Sequence, residues 1–197
     1  DTQAGGRTYG TGGGCANREG SPVMAAAVRV YISIGSNVDR ERYVRAALDA
    51  LSAWFGELII SPVYDSEAVG FDGSPFLNLV VGVDTSLSVA ELSKRFKQLE
   101  ADNGRRRDVP KFSARTLDLD ILTYGSAVGR IDGVELPRGE ILKNAFVLRP
   151  LADIAPEAEH PVCGKTYGQL WREYDTGQKL WPVGFSWQGR QISHAAG

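Results

Sequence analysis

The chain has 197 residues, 43% of them hydrophobic and 23% charged, a length that suits one domain with a sizeable core. Its 22 Lys+Arg against 24 Asp+Glu give a formal net charge of −2, which excludes a protein built mainly to coat nucleic acid or an anionic membrane. No apolar run approaches the ~20 residues of a membrane span, and two cysteines with two histidines exclude a disulfide framework or a His-rich zinc site. These features predict a cytoplasmic, single-domain protein. Residues 1–23 are Gly-rich with no signal-peptide core, and Met24 is the only methionine. Met24 therefore reads as the native start, with 1–23 a disordered or non-native tail ahead of a domain over 24–173.

Val28, Val30, Ile32 and Ile34 recur with a period of two, which predicts a strand closed by Gly35-Ser36-Asn37. Between Asp39 and Phe55 the residues Val44, Ala47, Leu48, Leu51 and Phe55 fall at helical spacing. Leu58–Tyr64 reads as a second strand, placed at an edge by Pro62. After a loop over 65–75, Phe76–Asp84 is a third strand. Leu77, Leu79, Val81 and Val83 line one of its faces, and Phe76, Asn78, Val80 and Gly82 the other, open one. Ser88-x-x-Glu91 is a capping box for a helix carrying Val89, Leu92, Phe96 and Leu99, which ends at Asn103-Gly104. A basic, aperiodic loop then leads into a fourth strand over Leu117–Leu122. The order βαββαβ predicts an α+β, ferredoxin-like fold: an antiparallel sheet with helices on one face. A short helix near Tyr167–Glu173 precedes a Trp-containing extension, 174–197, expected to pack on the domain.

Asp118 and Asp120 stand two apart on the predicted fourth strand, so both project from one face with Cα atoms about 6.5–7 Å apart. Two adjacent carboxylates suit a hard divalent cation such as Mg²⁺, and such a pair can share two ions. An ordinary solvated strand face is the alternative. Upstream lie Arg105, Arg106, Arg107, Lys111 and Arg115. This is either countercharge for a polyphosphate or a solvated basic loop paired with Asp108 and Glu100. No GxxxxGK[ST] loop is present. Asn78 lies on the face opposite the apolar residues of its strand, where it is either an ordinary surface residue or an amide matched to a heterocycle edge that both donates and accepts, with Phe76 placed to stack on such a ring. His160 reads as a surface-loop histidine, Cys163 as a small buried or loop residue, and Trp171, Trp181 and Trp187 as packing groups of the tail.

The runs Tyr31-Ile-Ser-Ile-Gly-Ser-Asn37, Phe76-Leu-Asn78, Arg115-Thr-Leu-Asp-Leu-Asp-Ile121 and Phe146-Val-Leu-Arg-Pro-Leu-Ala-Asp-Ile-Ala-Pro156 resemble, in that order and over about residues 28–173, the 6-hydroxymethyl-7,8-dihydropterin pyrophosphokinase family. The resemblance implies transfer of the β,γ-pyrophosphate of ATP to the hydroxymethyl oxygen of 6-hydroxymethyl-7,8-dihydropterin, releasing AMP, in folate biosynthesis. It implies two Mg²⁺ ions on Asp118 and Asp120, and Arg105 and Arg115 as the catalytic arginines that neutralise the phosphates. Glu100, Arg107, Ile121 and Arg138 would lie near ATP. Asn78 would read the pterin edge, helped by the backbone from Ser66 to Val69, with Phe76 and Phe146 sandwiching the ring and Phe112 sealing the pocket.

The chain departs from the family pattern at Lys111-Phe-Ser-Ala-Arg115, at Arg138 where a His is common, and at Asn144 where an Arg is common. These departures leave two alternatives open: a weakly active or inactive pterin-binding paralogue, and a DxD metal-dependent nucleotide-sugar transferase. In every reading the partners are small molecules, not nucleic acid or membrane, and the protein is expected to be a monomer or weak dimer.

Overall fold

The structure, a computed structural model, describes residues 26–66, 75–104, 116–175 and 177–196. Its first seven elements are β1 (Val28–Ser36), α1 (Arg40–Phe55), β2 (Ile59–Ile60), β3 (Val63–Ser66), β4 (Phe76–Thr85), α2 (Val89–Asp102) and β5 (Asp118–Tyr124). They realise the predicted α+β, ferredoxin-like arrangement. β1 lies between β4 and β5 and pairs antiparallel with both, from Val28↔Thr85 to Ser36↔Leu77 on one side and from Val30↔Tyr124 to Gly35↔Asp118 on the other. Alternation then sends Val30, Ile32, Ile34, Leu77, Leu79, Val81, Leu119 and Ile121 into one buried core with Val44, Leu48 and Leu51 of α1 and Leu92 and Phe96 of α2. Ser88 caps α2 by accepting from the Glu91 N–H at 3.2 Å.

The predicted Leu58–Tyr64 strand divides in two. Pro62 has no N–H to give the ladder, and beside it the Ser61 hydroxyl accepts from the Val80 N–H at 2.9 Å, bridging the break. The segment is not an open edge. β3 pairs with β4 on one side and on the other with β8 (Leu180–Val183), from Val63↔Val183 to Ser66↔Leu180.

The opposite face of the sheet carries a second layer. After a hairpin of β6 (Gly129–Ile131) and β7 (Val134–Leu136), and a 3-10 turn over Gly139–Leu142, come α3 (Ala145–Ile154) and α4 (Tyr167–Glu173). Val147, Leu148, Leu151 and Tyr167 bury Val80 of β4 and Leu122 of β5. Val80 is therefore covered, not open. The Arg149 guanidinium of α3 lies 4.9 Å from the Tyr64 ring and 5.6 Å from the Trp171 ring, and the Tyr64 hydroxyl donates to Asp153, which ties α3 to β3. The chain ends in β9 (Phe185–Trp187) and β10 (Arg190–Ser193). Phe185 and Trp187 enter the first core, and the Trp187 indole donates to Asp49 at 2.9 Å.

His160 is 4% exposed, contrary to the surface reading. Its backbone N–H donates to the Lys165 carbonyl, folding the loop back on itself, and its Nδ1 accepts from the N–H groups of Val162 and Cys163, both at 3.2 Å. Burial lowers the His160 pKa below the ordinary histidine value. Among the described residues, no helix is long and apolar enough to cross a membrane.

Candidate active site

Strand register brings Asn78 of β4, Gly35 of β1 and Asp118 of β5 into one row. Adjacent strands lie about 5 Å apart, so Asn78 and Asp118 flank Gly35 across about 10 Å. The bare backbone of Gly35 forms the floor between them. A Cβ built there would stand 3.1 Å from Asn78 Oδ1 and 3.8 Å from a ring carbon of Phe76. Asp120 lies in the next row, opposite Ser33, whose other partner is Val80. Leu119 and Ile121 turn into the helical core while Asp118 and Asp120 keep partial exposure on the other face, as the sequence predicts.

Local contacts hold each wall. Asn78 Nδ2 donates to the Ser66 hydroxyl at 2.7 Å, which sets the amide's orientation, and Ser66 pairs in register with Phe76. Asp65, next to Ser66, receives both terminal nitrogens of Arg40 at 2.8 Å, and the same guanidinium donates to the Pro75 carbonyl at 3.1 Å. Arg40 thus clamps the end of β3 to the approach to β4. Its hydrogen bonds to Asp65 raise its pKa in spite of partial burial. Across the row, the buried Ser36 hydroxyl faces the carbonyls of Thr116 and Val38 at 2.5 and 3.2 Å, fixing the entry to β5.

Arg138 adjoins the acidic pair. Its Nη2 is 3.4 Å from Asp120 Oδ1, while Nε and Nη2 fork onto the Glu140 carboxylate at 3.0 and 3.2 Å. Its backbone N–H donates to the Leu122 carbonyl at 2.8 Å, pinning it beside β5. Burial opposes the Arg138 charge, but Glu140, Asp120 and Asp118 together raise its pKa. Two carboxylates on one strand face form a hard oxygen donor set that fits a divalent cation. Among the described residues no cluster of three or more His, Cys, Asp or Glu forms, so the fit rests on this pair with water or substrate oxygens completing the shell.

The other expected residues are placed as follows. Glu100, 4% exposed, accepts from the Leu119 N–H at 3.4 Å and joins the end of α2 to β5. The Ile121 side chain is buried in the helical core, which leaves its backbone as the part available to a nucleotide. Phe76 opens β4, Phe146 sits in the first turn of α3, and both are half-buried. Val69, Arg105, Arg107, Phe112 and Arg115 lie outside the described residues. Sequence reasoning missed Arg40 and Asp65, Glu140 and Gln178. Arg40 looks like one more charge on the wet face of a helix, and nothing local to Gln178 links it to α3, where its Oε1 accepts from the Ala145 N–H at 2.7 Å.

Comparison with known proteins shows the family and the fold. A family model for 7,8-dihydro-6-hydroxymethylpterin-pyrophosphokinase matches residues 31–156. The 2-amino-4-hydroxy-6-hydroxymethyldihydropteridine pyrophosphokinase of Pseudomonas aeruginosa is 37% identical over 137 residues, covering 68% of this chain and 84% of the relative. The protein of the same description from Aquifex aeolicus is 37% identical over 138 residues, covering 69% of this chain and 86% of the relative. Among solved structures, Plasmodium falciparum HPPK-DHPS superimposes with a TM-score of 0.59 at 13% identity, covering 85% of this chain and 50% of that one. The chain therefore spans about half of that longer protein, and the likeness speaks to the fold. With the family model matching well over half of its length, the chain belongs to the 7,8-dihydro-6-hydroxymethylpterin-pyrophosphokinase family.

Proposed function

We propose that the chain carries out its family's reaction in folate synthesis, pyrophosphoryl transfer from ATP to 6-hydroxymethyl-7,8-dihydropterin with release of AMP, along the row Asn78–Gly35–Asp118. The single observation carrying this placement is that row, an amide-bearing and a carboxylate-bearing residue on strands whose backbones lie about 10 Å apart, with a side-chain-free residue between them. A flat bicyclic ring fits within that width. Asn78 presents a carbonyl and an amide to its edge with the rotamer set by Ser66, and Phe76 and Phe146 supply aromatic faces above and below.

Asp118 and Asp120 hold two Mg²⁺ ions in this reading; with them bound, the chemistry gained is neutralisation of charge on the transferring phosphates. Arg138, tethered by Glu140 beside Asp120, adds a fixed positive charge on the same side. Arg105, Arg107 and Arg115 extend that charge over the polyphosphate, Phe112 seals the pterin side, and Val69 offers backbone groups to the ring. Glu100 and the Ile121 backbone support the nucleotide end of the site. The residues bind, align and neutralise, and no covalent intermediate on the protein is required. All of these groups come from one chain, so a monomer suffices, and ATP as donor fits a cytoplasmic setting.

The test is pterin-dependent AMP release from ATP and Mg²⁺. Asp118→Ala and Asp120→Ala should each lower turnover by about 10³-fold, the scale of losing a group that stabilises transition-state charge, while direct titration finds pterin affinity within about threefold of wild type. A wild-type rate in either variant refutes the metal assignment.

A further inference from the structure

The segment from Tyr174 to Val183 lies beyond residues 31–156, yet its described residues contact the start of α3, which carries Phe146, and β3, which carries Ser66. At α3 the N-cap residue is Asn144, a residue type whose side chain ordinarily caps its own helix, but it makes no such bond. Gln178 does the work instead. Its Oε1 accepts from the Ala145 N–H at 2.7 Å, and its Nε2 donates to the Lys143 carbonyl at 3.1 Å, which also receives the Tyr174 hydroxyl at 2.6 Å. Two residues further on, Leu180 begins β8 directly opposite Ser66, the residue that orients Asn78.

We propose that Gln178 is a positioning residue for the pterin wall. It caps α3 from outside the helix and thereby fixes the first turn that carries Phe146, while β8 holds β3 and Ser66 at a set distance from it. The first N–H groups of a helix have no partner within the helix, so an external acceptor decides whether that turn stays wound. The span from Gln178 to Leu180 is at most about 7 Å of extended chain. The two walls are therefore tied to one short, hydrogen-bonded strap, and a change at either end is felt by the ring between them. This inference rests on the reading of Phe146 as a pterin contact.

The test uses the full chain titrated with Mg²⁺ and α,β-methylene-ATP, and then with 6-hydroxymethyl-7,8-dihydropterin on that complex. Gln178 is exposed, so Gln178→Ala should remain folded. It should weaken pterin binding about fivefold, the scale of a lost N-cap, and leave nucleotide affinity within about twofold. Gln178→Glu keeps the acceptor for the Ala145 N–H at the positive end of α3 but loses the donor to the Lys143 carbonyl, so it should recover pterin affinity in part, binding more tightly than Gln178→Ala; affinity no better than Gln178→Ala counts against the capping role. Phe146→Ala is the control for the underlying reading. If Phe146→Ala weakens pterin binding and Gln178→Ala does not, the positioning role is refuted. An equal loss for both ligands in Gln178→Ala refutes it too, because a general loss of structure would do that. An unchanged pterin affinity in Phe146→Ala instead removes Phe146 from the site, and the inference falls with it.

Discussion

Gly35→Ala separates binding from stability more sharply than any other single change in the row. The Gly35 backbone is extended within β1, outside the left-handed region, so alanine is admissible there. The substitution also narrows the unfolded ensemble, worth about 0.4–1 kcal/mol in favour of folding. Against this, the new Cβ stands 3.1 Å from Asn78 Oδ1, so the Asn78 amide has to yield by a few tenths of an ångström against its bond to Ser66. The two effects offset, and the net change should stay within about 1 kcal/mol, or roughly 2–4 °C in Tm for a chain of this size.

Binding has no such compensation. The methyl carbon rises about 1.5 Å from the floor and displaces a ring from the Asn78 edge. Forced overpacking of this kind costs roughly 1–3 kcal/mol, or about 5- to 150-fold in pterin affinity. Nucleotide binding, on the Asp118 and Asp120 side, should change little. Calorimetric titration with the pterin, alongside a thermal melt, reads both quantities. Pterin affinity within twofold of wild type would show that the ring does not lie over Gly35.

Three further outcomes follow from contacts elsewhere. Arg138→Ala removes a guanidinium 3.4 Å from Asp120. Mg²⁺ alone should then bind about tenfold tighter through relieved repulsion, while Mg²⁺-ATP binds more weakly for want of a phosphate contact; calorimetry showing both affinities moving the same way counts against the role given to Arg138. Ser193, 1% exposed, accepts from the Val63 N–H at 2.8 Å and donates to the Val183 carbonyl at 2.6 Å. Ser193→Ala leaves the Val63 N–H buried without that acceptor and should cost about 1–3 kcal/mol in urea unfolding, so an unmoved midpoint argues that the β3–β8 joint is not held there. For His160, burial depresses the folded-state pKa, so below the ordinary value of about 6.5 the unfolded chain binds more protons. Stability should be full above that value and fall as pH drops through it, by up to about 1.4 kcal/mol per pH unit. His160→Asn should flatten that part of a stability profile measured between pH 7.5 and 5.5.

Periodicity and spacing determined the parts of this protein that neighbouring residues control. Alternation in Val28–Ile34 and in Asp118–Ile121 encodes which face each side chain takes, because a strand has a period of two. Helical spacing in α1 and α2 encodes their buried stripes in the same way. The facing of the paired aspartates and of Asn78 was legible for that reason, while the family resemblance rested on motif runs such as Arg115-Thr-Leu-Asp-Leu-Asp-Ile121. Tertiary structure decided what depends on residues far apart in the chain. The second helical layer over Val80, the covering of β3 by β8, the Arg40–Asp65 clasp and the capping of α3 by Gln178 each join groups that no local pattern relates. A hydrogen bond across 33 residues, such as Gln178 to Ala145, leaves no periodic trace because its geometry exists only once the sheet has brought both ends together.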